Sequence, residues 1–509
     1  MASDPTGSAS GKSGKTNTPD GLFGRSVDSM ELLIVLLPVL AFAGSGLVLQ
    51  SVRRGGFIAA GAITLVAGSC FGYYFQHAQL GPLPLSSERL LVFLMAIAYL
   101  ICRGKQVGVD PKVVRKVDIL VLLLIAVLTV SAFTHDWKAD RLQPVSRLAL
   151  LWIMPAVLYW IMRQSRIGEA ELRITHITLA IFGVYLSITA WAETQSLTWM
   201  IFPRYISSSQ FSEFFGRGRG PFLNPVGNGL FMLAGMGATM LAWPRSGVKG
   251  RLLILLAMPI YAIGIYSTYT RSIWASAVVV GFASLLSLLP ARVRVPAFAC
   301  SVILVVGGLA TQWNSLMSFK RDRDLDAATT LDSVKLRPIL GYVAWKMFED
   351  HPFVGCGYGQ YSHQVKAYTY DRGTPLQVTR ARHYVPHNVI FAVATETGLL
   401  GLVPFLLMFG YWLADCWRLL RAPFMPASAR AHGLLTGVFL IAFVINGLAH
   451  EVTLIAMCNM LLFFLCGLST GIATRQLSRR SIGLSSYRSA ANRRALPRVP
   501  QTPATAQGM

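Results

Sequence analysis

Charge is scarce in this chain: 14% of its 509 residues are charged, and the 23 Asp and Glu are outnumbered by 46 Lys and Arg. With 53% hydrophobic residues, that balance excludes an ordinary soluble domain. The apolar/polar alternation of barrel strands is lacking as well, because the apolar residues form continuous runs of about twenty, the length that crosses a bilayer as a helix. Cysteines are few. Of the seven, only Cys356 lies in the large polar loop, so no disulfide framework or zinc-ligand spacing forms there. The Asp322-x-Asp324-x-Asp326 run lacks the glycine and glutamate of a calcium loop, and neither metal nor other cofactor is expected. No cleavable signal peptide is expected either, since the first apolar run is too long for an h-region.

What remains is an all-α polytopic membrane protein. Spans are expected at 31–50, 55–76, 86–103, 117–134, 146–163, 173–192, 225–243, 251–268, 272–290, 295–311, 388–417, 432–450 and 452–471. Twelve form the core, and 31–50 is a thirteenth if it crosses. The organisation reads as a disordered tail (1–29), N-terminal helices (30–311), one large loop with amphipathic helices (312–387), C-terminal helices (388–471) and a basic tail (472–509). The net charge of +23 points to no nucleic acid, because its short basic loops follow the positive-inside rule. Clusters at Arg53 and Arg54, Arg103 to Arg115, Arg163 to Arg173, Arg245 to Arg251, Arg292 and Arg294, Arg418 to Arg430, and from Arg475 onward all become cytoplasmic, and so does the C-terminus.

The opposite face then holds 193–224, the turn at 268–271, the large loop and the turn near His450. Arginines gather there against the rule. Arg271 lies in a turn between two spans, where a guanidinium either reaches lipid headgroups or meets an anionic partner. Residues 216–229 read Gly-Arg-Gly-Arg-Gly-Pro-Phe-Leu-Asn-Pro-Val-Gly-Asn-Gly. They make either a flexible surface turn or a site where glycines let backbone approach a diphosphate and Arg217 and Arg219 grip it. In Leu336 to Tyr361, the Ile339, Val343, Met347 stripe predicts an amphipathic helix on the membrane surface. Arg337 is a third phosphate ligand or a helix-end charge.

His387 precedes a helix start, with Pro386 stopping the incoming chain and Asn388 as N-cap. An imidazole at the positive end of a helix tends to be neutral, which suits a general base, although an interfacial histidine fits the same stretch. His383 is a relay candidate or a loop residue. His450 and Glu451 form a further outer pair. Glu396 lies roughly 12 Å along the helix from its start, too deep to meet His387, and must be paired or protonated.

Taken in order, Gly-Arg-Gly-Pro-Phe-x-Asn-Pro, Thr-Arg-Ser at a span head, Arg337 ahead of Trp345, Asp350-x-Pro352-Phe-x-Gly355-x-Gly357, and His387-Asn388 followed by Glu396-x-Gly398-Leu-x-Gly401 resemble the O-antigen ligase and polymerase superfamily. The resemblance runs from Gly216 to Gly401. It implies a lipid-exposed, GT-C-like glycosyltransferase of the Gram-negative inner membrane, with its large loop and active site in the periplasm. The donor it implies is an undecaprenyl diphosphate-linked glycan; the acceptor, for a ligase, is a lipid A-core sugar. No obligate protein partner is expected. His387 matches the family's essential histidine, and Arg219 and Arg271 match arginines needed for activity. Arg217, Arg337, His383 and Asn388 are further candidates for holding the diphosphate or glycan. Where Asn-Pro-Asn is common, this chain has Asn224-Pro225-Val226.

Overall fold

In hydrocarbon a backbone must satisfy its hydrogen bonds within its own segment, so the apolar runs become helices. A computed structural model describes residues 56–75, 77–80, 83–105, 107–110, 112–136, 143–211, 213–290, 292–300, 307, 311, 327–370, 373–422 and 424–495. They form α1 (Gly56–Cys70), a hairpin of β1 (His77–Leu80) and β2 (Leu83–Ser86), α2 (Ser87–Gly104), α3 (Lys116–Thr134), α4 (Pro144–Gln164) and α5 (Glu169–Thr194). There follow α6 (Pro225–Ala242), α7 (Val248–Ser267), α8 (Arg271–Leu288), α9 (Ala327–Asp350), α10 (Val389–Arg421), α11 (Ala427–Gly447) and α12 (Ala456–Ala495).

Among the described residues nine helices are long and apolar enough to cross a membrane, α3 to α8 and α10 to α12. The chain is a multi-pass membrane protein. The expected span at 55–76 is the shorter apolar α1, and that at 86–103 is α2, whose Glu88, Arg89 and Arg103 keep it out of the nine. The expected span at 31–50, most of 295–311, and the tail 1–29 lie outside the described residues. The helix α12 continues through the basic segment to Ala495.

At the end of the bundle with the basic loops, ion pairs tie the helices together. Arg115 holds Asp415 through two contacts of 2.7 Å, and the buried Arg163 meets Asp118 at 2.7 Å. At the other end, α9 does not spread its apolar stripe on a membrane surface. Ile339, Val343 and Met347 are buried with Leu340, Val365, Val378 and Ala381 in a small second core, because the turns at Val365–Tyr370 and Val378–His383 supply apolar partners.

The paired glycine motifs have a shared cause. At Gly398, φ is 58° and ψ −158°, a backbone state essentially confined to glycine, and α10 is broken there. The segment 352–357 repairs the break: Cys356 and Gly357 donate to the carbonyls of Thr395 and Glu396 (2.8 and 3.1 Å), and Leu399 and Leu400 donate to Pro352 and Phe353 (2.8 and 3.0 Å). A Cβ on Gly398 would lie 2.3 Å from the Phe353 carbonyl carbon. Gly398→Ala is therefore expected to destabilise the protein by more than about 3 kcal/mol, seen as a lowered thermal midpoint in detergent.

Candidate active site

A cavity of about 520 Å³ opens at the end of the bundle where several helices begin. Its wall includes Glu88 and Arg89 from the first turn of α2, Asn224 to Val226 at the start of α6, His387 just before α10, and Ala456 and Met457 at the start of α12. Each helix N-terminus carries a partial positive charge of about half an elementary unit, so the backbone alone favours an anion here. Arg89 and Arg217 add guanidiniums to the same wall. The Tyr205 phenol, also on the wall, is pushed up by burial and stays neutral; it donates to the Pro221 carbonyl at 2.7 Å.

The two arginines of the glycine-rich stretch separate. Arg217, buried yet on the cavity wall, donates to the Thr268 carbonyl (3.1 and 3.0 Å), the Tyr269 carbonyl (3.2 Å) and Thr270 Oγ1 (2.6 Å). Arg219 is buried and is not on the cavity wall. Its guanidinium donates to the carbonyls of Ile206 (2.8 Å), Glu213 (2.7 Å) and Phe211, with Glu193 at 3.7 Å. It ties Ile206, Phe211 and Glu213 to the stretch just before α6. The neighbouring glycines serve packing more than ligand approach: a Cβ on Gly218 would lie 2.6 Å from Ala190 Cβ, and one on Gly220 2.4 Å from Asn228 Oδ1. Arg271 opens α8 directly after the 268–270 turn that Arg217 grips, and is not on the cavity wall.

His387 has φ of 50°, a left-handed backbone uncommon outside glycine and of order 1–3 kcal/mol in cost, and its ring reaches the cavity beside Tyr384. Asn388 is the expected N-cap: Oδ1 accepts from Ile390 N (2.9 Å) and Phe391 N (3.2 Å), and Nδ2 donates to the Leu448 carbonyl (3.3 Å). Its amide is thereby used in fixing where His387 stands. Asn224 caps α6 in the same way, accepting from Val226 N and Gly227 N at 2.9 and 3.2 Å.

His450 and Glu451 line the same cavity. Behind them lies an arginine that sequence reasoning missed. Arg147, at the start of α4, meets Glu396 at 3.3 Å and Glu451 at 3.7 Å and stacks over the Tyr358 ring at 5.2 Å, with all three charged groups buried. Glu396 is thus paired, as its depth required. Sequence reasoning missed Glu88 and Arg89 too, although they are charges at a helix head, as Arg271 is. Arg337 is exposed on α9 and is not on the cavity wall, and the His383 side chain lies outside the described residues. Nearby Cys356 is pushed up to about 12 by burial and remains a thiol.

Comparison with known proteins adds the family. No curated protein matches the chain. Residues 252–406 match the family model described as O-antigen ligase, a segment that takes in Arg271, Arg337, His383, His387 and Asn388 but begins after Arg217 and Arg219. The match covers about a third of the chain, and over that stretch the chain is similar to the O-antigen ligase and polymerase superfamily, membrane glycosyltransferase-like enzymes that work on lipid-linked glycans.

Proposed function

We propose that the protein is an O-antigen ligase of the Gram-negative inner membrane, transferring glycan from undecaprenyl diphosphate to a lipid A-core sugar hydroxyl at the periplasmic face. The observation that carries this reading is a cavity where His387, just ahead of α10, shares a wall with Arg89, Arg217 and the starts of α2, α6 and α12. His387 takes the proton of the acceptor hydroxyl, whose oxygen attacks the anomeric carbon. The bond from that carbon to the diphosphate oxygen breaks, and the diphosphate leaves with the electron pair. Attack from the face opposite the leaving group inverts the anomeric centre. The departing diphosphate gains negative charge as the bond breaks. Fixed guanidiniums and helix ends stabilise that charge without reorganising, so the reaction requires no metal.

In this scheme Arg217 and Arg89 touch the diphosphate. Arg219 and Arg271 are positioning residues, the first holding the 206–213 loop and the second opening α8 beside the turn that Arg217 grips. Arg219→Gln is then expected to lower the thermal midpoint and the activity together, since it removes three carbonyl contacts and strands the buried Glu193. An unchanged midpoint with activity lost would instead move Arg219 into the chemistry.

A polymerase or a protein O-oligosaccharyltransferase would use the same donor half of the cavity. A transporter or flippase is less well supported, because carriers place ionisable groups near the membrane midplane on repeated halves, whereas the charges here gather at helix starts. The deciding experiment is transfer from undecaprenyl diphosphate-linked glycan to purified lipid A core, in detergent with chelator. Core-attached product supports the ligase. Lengthened glycan without core attachment makes the protein a polymerase, and no turnover of any carrier points to transport.

A further inference from the structure

A second and larger cavity, about 750 Å³, lies at the opposite end of the bundle between α5, α6, α7 and the start of α11. It is far from the first. His176 on its wall is 18 residues, roughly 27 Å of helix, from the end of α5 at Thr194, next to the loop that carries Arg217. Three features coincide in it. At the mouth, Arg173 and Arg245 outnumber the one carboxylate, Glu169. Beyond them the wall is apolar, and its Ile177, Ile181, Leu253 and Leu256 are exposed on the bundle surface, where lipid chains would lie.

The third feature is a buried polar atom on a residue of the wall. His176 is 4% exposed, and its Nδ1 has no hydrogen-bond partner among the described residues. Its protonation follows from its neighbours. The Leu465 carbonyl, 3.3 Å from His432 Nε2, can only accept, so His432 carries its proton on Nε2 and offers Nδ1 as acceptor. His176 Nε2, 3.4 Å from that Nδ1, is then the donor. That leaves His176 Nδ1 as a bare acceptor. The buried hydroxyl of Ser428, likewise without a partner among the described residues, lines the same space. His176 stands one helical turn, roughly 4.5 Å, further into the bundle than Arg173.

We propose that this cavity binds an anionic lipid whose phosphate meets Arg173 and Arg245, whose hydroxyl or amide N–H just below the phosphate donates to His176 Nδ1, and whose chain lies along α5 and α7. Basic pockets between helices on the side of the basic loops are suited to such headgroups. Arginine forks fit phosphate oxygens, and a buried acceptor left unmade is costly, so the donor group adds selectivity. The site is independent of the transfer reaction and does not rest on it.

The test is native mass spectrometry of the purified full chain in detergent, with lysophosphatidic acid, lysophosphatidylcholine and phosphatidic acid in competition. Each arginine near a phosphate is worth about fivefold, so lysophosphatidic acid should be retained roughly 25-fold over lysophosphatidylcholine, and Arg173→Gln/Arg245→Gln should erase that preference. Phosphatidic acid lacks the free hydroxyl, and should be retained about fivefold less than the lyso form. His176→Phe should remove that margin alone. Equal retention of the charged and zwitterionic lipids would overturn the proposal, as would preferences that survive the substitutions. Displacement by free glycerol phosphate at equal concentration would overturn the lipid assignment. A readout on the wild type avoids dependence on variant folding: lysophosphatidic acid with a photoreactive chain should label Ile177, Ile181 or Leu253, and labelling confined to other helices would refute it.

Discussion

Replacing His387 with glycine is expected to lower the rate of glycan transfer by about 10²- to 10⁴-fold, the usual contribution of a positioned general base, while leaving the thermal midpoint unchanged or higher. Glycine is the informative choice because His387 has φ of 50°, which glycine adopts freely and alanine does not. His387→Ala would mix a chemical loss with backbone strain. The cap below it remains intact, since Asn388 accepts from Ile390 N and Phe391 N through its own side chain. The wild-type rate should also fall on acidification as the imidazole becomes protonated, and the residual rate of the glycine variant should lack that acid limb. Steady-state transfer measured across pH, with the unfolding midpoint of each protein, checks both parts. A variant retaining more than a tenth of the wild-type rate would remove His387 from the base role, and an acid limb that persists in the variant would assign it to another group.

Much of this arrangement was legible in the residues. Asn388 and Asn224 cap helices because an Asn ahead of an apolar run can accept from the first free backbone N–H groups, a rule local enough to read from the chain. The position of His387, one residue ahead of that cap, was legible for the same reason. The fates of Arg217 and Arg219 were not, since two arginines two residues apart look alike in sequence. They differ in which carbonyls happen to surround them: Arg217 meets the 268–270 turn at the cavity, and Arg219 meets three carbonyls of its own loop. The α9 stripe was read with the right period but the wrong partner, because period tells which face is apolar and not what covers it. Gly398 appeared in sequence as one glycine of a motif. Only the contact with 352–357 makes it a break in α10, and that contact joins segments about forty residues apart.

Arg147 is where that long-range information matters most, and Arg147→Met is expected to destabilise the protein by about 3–5 kcal/mol. The substitution leaves Glu396 and Glu451 buried without their shared guanidinium, from side chains that are 7% and 6% exposed. Methionine keeps much of the volume against the Tyr358 ring, so a cavity contributes little to the loss. The charge explanation carries its own control. Neutralising both partners in Arg147→Met/Glu396→Gln/Glu451→Gln should recover most of the lost stability, because a buried ion pair replaced as a unit costs far less than one partner removed. The single variant should also lose transfer activity ahead of global unfolding, since Glu451 lies on the same cavity wall as His387 and Arg147 is what fixes it from behind. Thermal midpoints in detergent give the first comparison and transfer rates well below those midpoints the second. If the triple variant is no more stable than the single one, the loss comes from packing around Tyr358 and not from stranded carboxylates; if transfer survives in a folded Arg147→Met protein, Glu451 has no part in shaping the site.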